Sequence, residues 1–168
     1  VPSNFWKEKL NKDFKVNKEK IKVTYEAIDP SFIRKSQQEP FQKVLKKYNL
    51  TNPFIVYTGS VYPHKNLHNL LLAMKQIPDL NLAVVCSRDI FVKRMEKLTQ
   101  KLNINHQVNF LGFVPDEELI ALYNQATALV QPSLMEGFGL TGLEAMAADC
   151  PVLSSNASCL PEIYGQAA

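Results

Sequence analysis

From residue 53 onward the chain alternates between two rhythms. Unbroken apolar runs, "PFIVYTG", "NLAVVCS", "QVNFLGF", "TALVQPS" and "PVLSS", are separated by "NLHNLLLAMKQI", "DIFVKRMEKLTQKL", "PDEELIALYNQA" and "LTGLEAMAA", where apolar residues recur at helical spacing. The runs predict strands buried on both faces, and the intervening segments predict amphipathic helices. Strand and helix in strict alternation predict an open, doubly wound parallel sheet of the α/β class. Pro78 is placed to end one helix. Pro115 starts another, followed by acids that favour a helix start. Upstream, the first 22 residues read as a lysine-rich helix followed by a turn. Residues 21–25 of "IKVTYEAIDPSF" read as a short strand. Residues 33–50 read as a helix, with apolar spacing at Phe41, Val44, Leu45 and Tyr48.

In open α/β sheets, ligands bind outside the carboxyl ends of the strands. That directs attention to residues 59–65, 86–88, 111–114, 132–139 and 154–156.

Composition changes this picture little. A chain of 168 residues with 46% hydrophobic and 21% charged residues is that of one globular domain, or one domain with part of a second. Net charge is +3, too small to argue for nucleic acid. The excess is local: Lys7, Lys9, Lys12, Lys15, Lys18, Lys20 and Lys22 crowd the start, and read as a solvated face. The opening "VPSNFWKEKLNK" has no signal-peptide pattern, and no run is long enough to span a bilayer. Cys86, Cys150 and Cys159 form neither a disulfide framework nor a zinc motif and fit a reducing compartment. Cys150 and Cys159 read as small buried residues. His64 and His68 are four apart but lack a third metal ligand, so no metal is expected.

The segment with chemistry in it is "EGFGLTGLE", from Glu136 to Glu144. Gly137, Gly139 and Gly142 form G-x-G-x-x-G, but the context of a dinucleotide fingerprint is missing. "PSLME" separates the strand from the first glycine, the motif follows several strands, and the next strand ends in Ser154, Ser155 and Asn156 with no acid. Glu162, further on, reads as structural. A glycine turn entering a helix still exposes backbone N–H groups to a phosphate. Carboxylates repel phosphate, so Glu136 and Glu144 suit hydroxyl-bearing groups on either side of it. A nucleotide sugar has that order: ribose, diphosphate, sugar.

The stretch "PSLMEGFGLTGLEAMAADCPVLSSNASCLPEI" resembles the signature of family 4 (group 1) retaining glycosyltransferases of GT-B fold, with its two glutamates separated by seven residues around a G-F-G turn. "FIVYTGSVYPHKNLHNLLLAM", "NFLGFVPDEELIALYNQATALVQPS" and "IKVTYEAIDPSF" resemble the family's first phosphate loop, the segment before the signature and the linker into the donor domain. The resemblance implies a donor-binding half over residues 21–168, truncated at its C-terminus. Residues 1–20 would be the end of an acceptor domain or a linker.

By the same resemblance, Glu144 holds the ribose and Glu136 contacts the transferred sugar. The amides of Phe138, Gly139 and Leu140 meet the diphosphate, as does Lys65, which also stabilises the leaving group. Gly59, Ser60 and His64 complete the first phosphate loop, and Gly59 admits the phosphate. Catalytic roles fall to Glu136 and Lys65. Ser60 and His64 stand where many members carry arginine, and Cys150 where glycine is usual.

The implied reaction transfers a hexose, with retention, from a nucleotide-diphosphate sugar to a glycan or lipid acceptor in polysaccharide biosynthesis. The resemblance implies no cofactor, and the sequence has no D-x-D metal motif. The H-K-N phosphate loop leans toward GDP-mannose over a UDP-sugar. The acceptor would be reached through an N-terminal domain this chain lacks, so the chain alone is expected to be inactive. The parent enzyme is expected to be cytoplasmic, at the inner face of the membrane. The other readings are a noncatalytic nucleotide-sugar binding module and a GT-B-type epimerase.

Overall fold

The computed structural model describes residues 1–33, 41–87 and 90–168. Its centre is one sheet of five parallel strands: β1 (Phe54–Thr58), β2 (Asn81–Val85), β3 (Val108–Gly112), β4 (Ala128–Gln131) and β5 (Val152–Ser154), in the order β3-β2-β1-β4-β5. Around it lie α1 (Asn4–Phe14), α2 (Phe41–Lys47), α3 (Leu67–Met74), α4 (Ile90–Leu102), α5 (Asp116–Gln125), α6 (Leu140–Ala147) and α7 (Leu160–Tyr164).

The unbroken apolar runs are explained by two cores, one on each face of the sheet. Phe54 and Val56 of β1 and Ala83 and Val85 of β2 join residues of α2, α5, α6 and α7. Ile55 and Tyr57 of β1 and Leu82 and Val84 of β2 join α3 and α4. A strand covered on both sides has no polar face to alternate with. The edge strand β5 shows the contrast: Leu153 is 63% exposed while Val152 is buried.

Three expectations change. Residues 21–25 form no sheet strand. Their backbone is held by Val1 instead: the Thr24 N–H donates to the Val1 carbonyl (2.9 Å) and the Val1 amine donates to the Lys22 carbonyl (2.9 Å). Within the segment expected to be helical over 33–50, the described part is α-helical only over α2, with Ile33 ending a 3-10 turn; residues 34–40 lie outside the described residues. Helix α7 was not foreseen. Its five residues are too few for a period to show.

β1 and β4 are neighbours, and their onward connections run to opposite sides of the sheet. The crevice at their carboxyl ends is the topological switch point of the fold. Of the windows chosen from sequence, residues 59–65 and 132–139 open onto it. Arg88, in another window, lies outside the described residues.

Candidate functional site

The first wall is the turn after β1. Gly59 has φ +135°, and a Cβ there would meet nothing within 4 Å, so the turn needs glycine for its backbone and leaves open space beside it. The Gly59 N–H is anchored to the Val85 carbonyl (3.0 Å). The Ser60 carbonyl accepts from the Tyr57 hydroxyl (2.6 Å). A 3-10 turn, Pro63–Lys65, follows and is closed by Asn66 in the left-handed region (φ +62°). The His64 ring is exposed and stacks on Tyr62, with centroids 6.0 Å apart.

The second wall is the loop from β4 into α6. Two hydrogen bonds stitch it to the first. The Asn66 amide donates to the Pro132 carbonyl (3.0 Å), and the Leu134 N–H donates to the His64 carbonyl (2.8 Å). These bonds bring the two walls together at Lys65 and Glu136. The Lys65 ammonium donates to both carboxylate oxygens of Glu136, at 2.9 Å to Oε1 and 2.7 Å to Oε2. Oε1 also accepts from Ser133 Oγ (2.7 Å) and Gln131 Nε2 (3.1 Å). Glu136 is 8% exposed. Burial alone would raise its pKa, but the bonds from Lys65, Ser133 and Gln131 outweigh it and hold the carboxyl below its usual value.

That depression has a sign. Glu136 adds stability above the ordinary carboxylate value of 4.5, and the contribution is lost as pH falls through its lower folded value. Acid melts should therefore separate the wild type from Glu136→Gln: melting temperature should fall more steeply below pH 4.5 in the wild type. Parallel acid limbs would count against it.

The main chain of the turn is fixed from outside. Glu136 N–H donates to Ser158 Oγ (3.2 Å), which donates back to the Glu136 carbonyl (3.0 Å). The Trp6 indole N–H points at the same carbonyl (3.1 Å) and at that of Gly137 (2.8 Å). Gly139, with φ +106°, is the N-cap of α6. The amides of Phe138, Gly139 and Leu140 have no acceptor among the described residues, so a helix N-terminus is left with unused donors. The Phe138 ring is buried and lies 6.0 Å from Tyr25, which leaves its backbone for the crevice. Glu144 stands one turn further along α6, half-buried, its carboxylate without a hydrogen-bond partner among the described residues. Burial, then the charge of Asp116, raises its pKa.

Sequence reasoning named Lys65 and Glu136 but not their pairing across 71 positions. It missed Gln131, Ser133, Ser158, Trp6 and Tyr164. Ser133 carried a signal through its place in "PSLME", and Gln131 through its polar side chain at the end of an apolar run. Glu162 is structural, as read: its carboxylate caps α1 through the N–H groups of Asn4 and Phe5 (both 2.8 Å). Cys150 and Cys159 are buried free thiols.

Known proteins bear on this arrangement. The family described as "Glycosyl transferases group 1" matches residues 37–168. The O-antigen chain mannosyltransferase RfbU of Salmonella typhimurium is 35% identical over 159 residues, 94% of this chain and 41% of its own length. The O-antigen chain mannosyltransferase B of Escherichia coli is 33% identical over 175 residues, 98% of this chain and 45% of its own. Among solved structures, Anabaena HepE in complex with UDP superposes with a TM-score of 0.82 at 23% identity, over 96% of this chain and 45% of that one, a likeness of fold. The chain thus spans less than half the length of these relatives. A match over most of the chain, carried on the doubly wound fold of GT-B enzymes, shows that it belongs to the group 1 glycosyltransferases.

Proposed function

We propose that this chain is the donor-binding half of a retaining hexosyltransferase that uses GDP-mannose. One observation carries the reading. Lys65 and Glu136, from separate loops, meet beside the unused amides that head α6. A cation, free N–H groups and a carboxylate on either side suit a diphosphate between two hydroxyl-bearing groups. The relatives' names supply the sugar: two are O-antigen mannosyltransferases. HepE, of like fold, was solved with a nucleoside diphosphate.

In this reading the Lys65–Glu136 pair is the resting state. The donor diphosphate takes Lys65, with the amides of Phe138, Gly139 and Leu140 beside it. Glu136 is released to accept from the sugar hydroxyls, and Glu144 accepts from the ribose. Gly59 lets the phosphates approach the first wall, where Ser60 and His64 flank them. Lys65 then stabilises the charge that gathers on the departing diphosphate. The acceptor, a glycan or a lipid-linked glycan, would meet the sugar from a second domain, of which residues 1–20 are the final part or the link. Among the described residues, no helix is long and apolar enough to cross a membrane. The reading puts the enzyme in the cytoplasm, at the membrane face where such acceptors are extended, and the isolated donor half transfers nothing.

The test is a melting panel with GDP, UDP, ADP and NAD on the wild type and on Glu144→Ala. A ligand at 100 times its Kd adds about 2.7 kcal/mol, which is roughly 5–11 °C for a chain of this size. GDP is expected to give that rise in the wild type and none in Glu144→Ala. The folded pKa of Glu144 is raised, so its charged form costs stability at neutral pH. The ligand-free variant should therefore melt no lower than the wild type. Stabilisation by NAD alone, or by GDP equally in both proteins, overturns the reading.

A further inference from the structure

β4 is an apolar strand that ends in a polar residue. Gln131 is 6% exposed, and a buried amide is costly unless both its ends are bonded. Both ends are. Its Nε2 donates to Glu136 Oε1 (3.1 Å), and its Oε1 lies 2.5 Å from the Tyr164 hydroxyl. The amide can sit only one way round, because the reverse would turn an oxygen toward the carboxylate. The Tyr164 hydroxyl also lies 2.6 Å from the Gly139 carbonyl, so its proton is shared between the glycine turn and the amide. Tyr164 is 5% exposed.

We propose that Gln131 and Tyr164 are positioning residues: Tyr164 ties the glycine turn to Gln131, and Gln131 holds one oxygen of Glu136, so the phosphate seat and the sugar-facing carboxylate are set as a unit. This rests on the donor-site reading above. The arrangement also distinguishes the two oxygens of Glu136. Ser133 and Gln131 both bond Oε1, whereas Oε2 is bonded by Lys65 alone among the described residues. When a diphosphate draws Lys65 away, Oε1 stays held and Oε2 is the atom left for a sugar hydroxyl. The relay thus decides which oxygen faces the donor.

The titratable groups around Glu136 are Lys65, Tyr57 on β1, Cys159, and Tyr164 itself. Neither Gln131→Met nor Tyr164→Phe adds or removes a charge at neutral pH. A shift in Glu136 titration then reports lost hydrogen bonds rather than a changed field.

The experiment has two arms. The first follows the Glu136 carboxyl by carbon NMR against pH in the ligand-free chain. Gln131→Met should raise its midpoint, Tyr164→Phe should raise it less, and the double variant should match Gln131→Met alone. An unmoved midpoint, or additive shifts, overturns the relay. The second arm measures GDP and GDP-mannose binding. Gln131→Met should weaken GDP-mannose about tenfold, the lower end of the cost of a hydrogen bond to a charged group, and leave GDP nearly unchanged. Tyr164→Phe should weaken both, since it also frees Gly139. Equal loss of GDP and GDP-mannose in Gln131→Met overturns the relay. If the wild type binds neither, the donor-site reading fails, and the titration arm still decides the relay.

Discussion

Gly142→Ala should cost the chain about 3 kcal/mol, at the upper end for an overpacked core, and lower its melting temperature by roughly 6–12 °C. The reason lies in what the glycine faces. A Cβ built there would stand 2.3 Å from the Tyr164 hydroxyl oxygen, 2.4 Å from Cζ and 2.9 Å from Cε1. The obstacle is the ring and not the hydroxyl alone, so Tyr164→Phe should not rescue the variant. Tyr164→Ala should: in that background Gly142→Ala should cost at least ~1 kcal/mol less, a coupling expected of side chains in direct contact. Urea melts of the two single variants and the double variant measure it. Strict additivity would mean that α6 and α7 are not packed as described. The third glycine of the G-x-G-x-x-G pattern thus makes room for Tyr164.

Glu136→Ala is the second large effect. It removes the partner of a lysine whose side chain is only 24% exposed and strips Ser133 and Gln131 of their acceptor. Removing one member of a buried pair costs about 3–5 kcal/mol. Here the lower end applies, because Lys65 can turn part-way to water. Lys65→Met leaves the more deeply buried carboxylate unpaired and should cost at least as much. The double variant Lys65→Met with Glu136→Met should be more stable than Lys65→Met alone or Glu136→Met alone, since no charge is then stranded. Chemical denaturation checks the order. All of these variants should lose nucleotide-sugar binding, the double one included. A double variant no more stable than its parents would mean that the pair does not form in solution.

The strands and most helices were legible because each carries its own period, and because two-sided burial leaves an unmistakable apolar run, as in "FIVYT" of β1. The segment at 21–25 has the composition of a strand without the partner. Composition reports only that residues tolerate burial and pleating, and pairing depends on what lies alongside. α7 fell below the length at which spacing can be counted.

In the site, the two glutamates could be named from local pattern, and Lys65 from the family resemblance. What links them could not. Lys65 and Glu136 are 71 positions apart, and Gln131 and Tyr164 are 33 apart. Such contacts are set by the order of strands in the sheet, and neighbouring residues carry no trace of them. Gln131 did break the apolar run of its strand, and a polar residue at a strand end was the hint that it offered.

The Glu162 cap bears on the order in which these parts form during synthesis. α1 has 11 residues, none of them buried, which is marginal for a helix standing alone. Its first amides are satisfied by a carboxylate 158 positions later. At roughly 5–20 residues per second of synthesis, that partner arrives about 8–30 s after α1 has left the ribosome. Through that interval the opening segment is a loose, lysine-rich strand of chain. When Glu162 emerges, it anchors α1, and the short α7 behind it brings Tyr164 under the glycine turn. Helix α1 and the glycine turn of the binding crevice are therefore both completed by one later segment, residues 158–164.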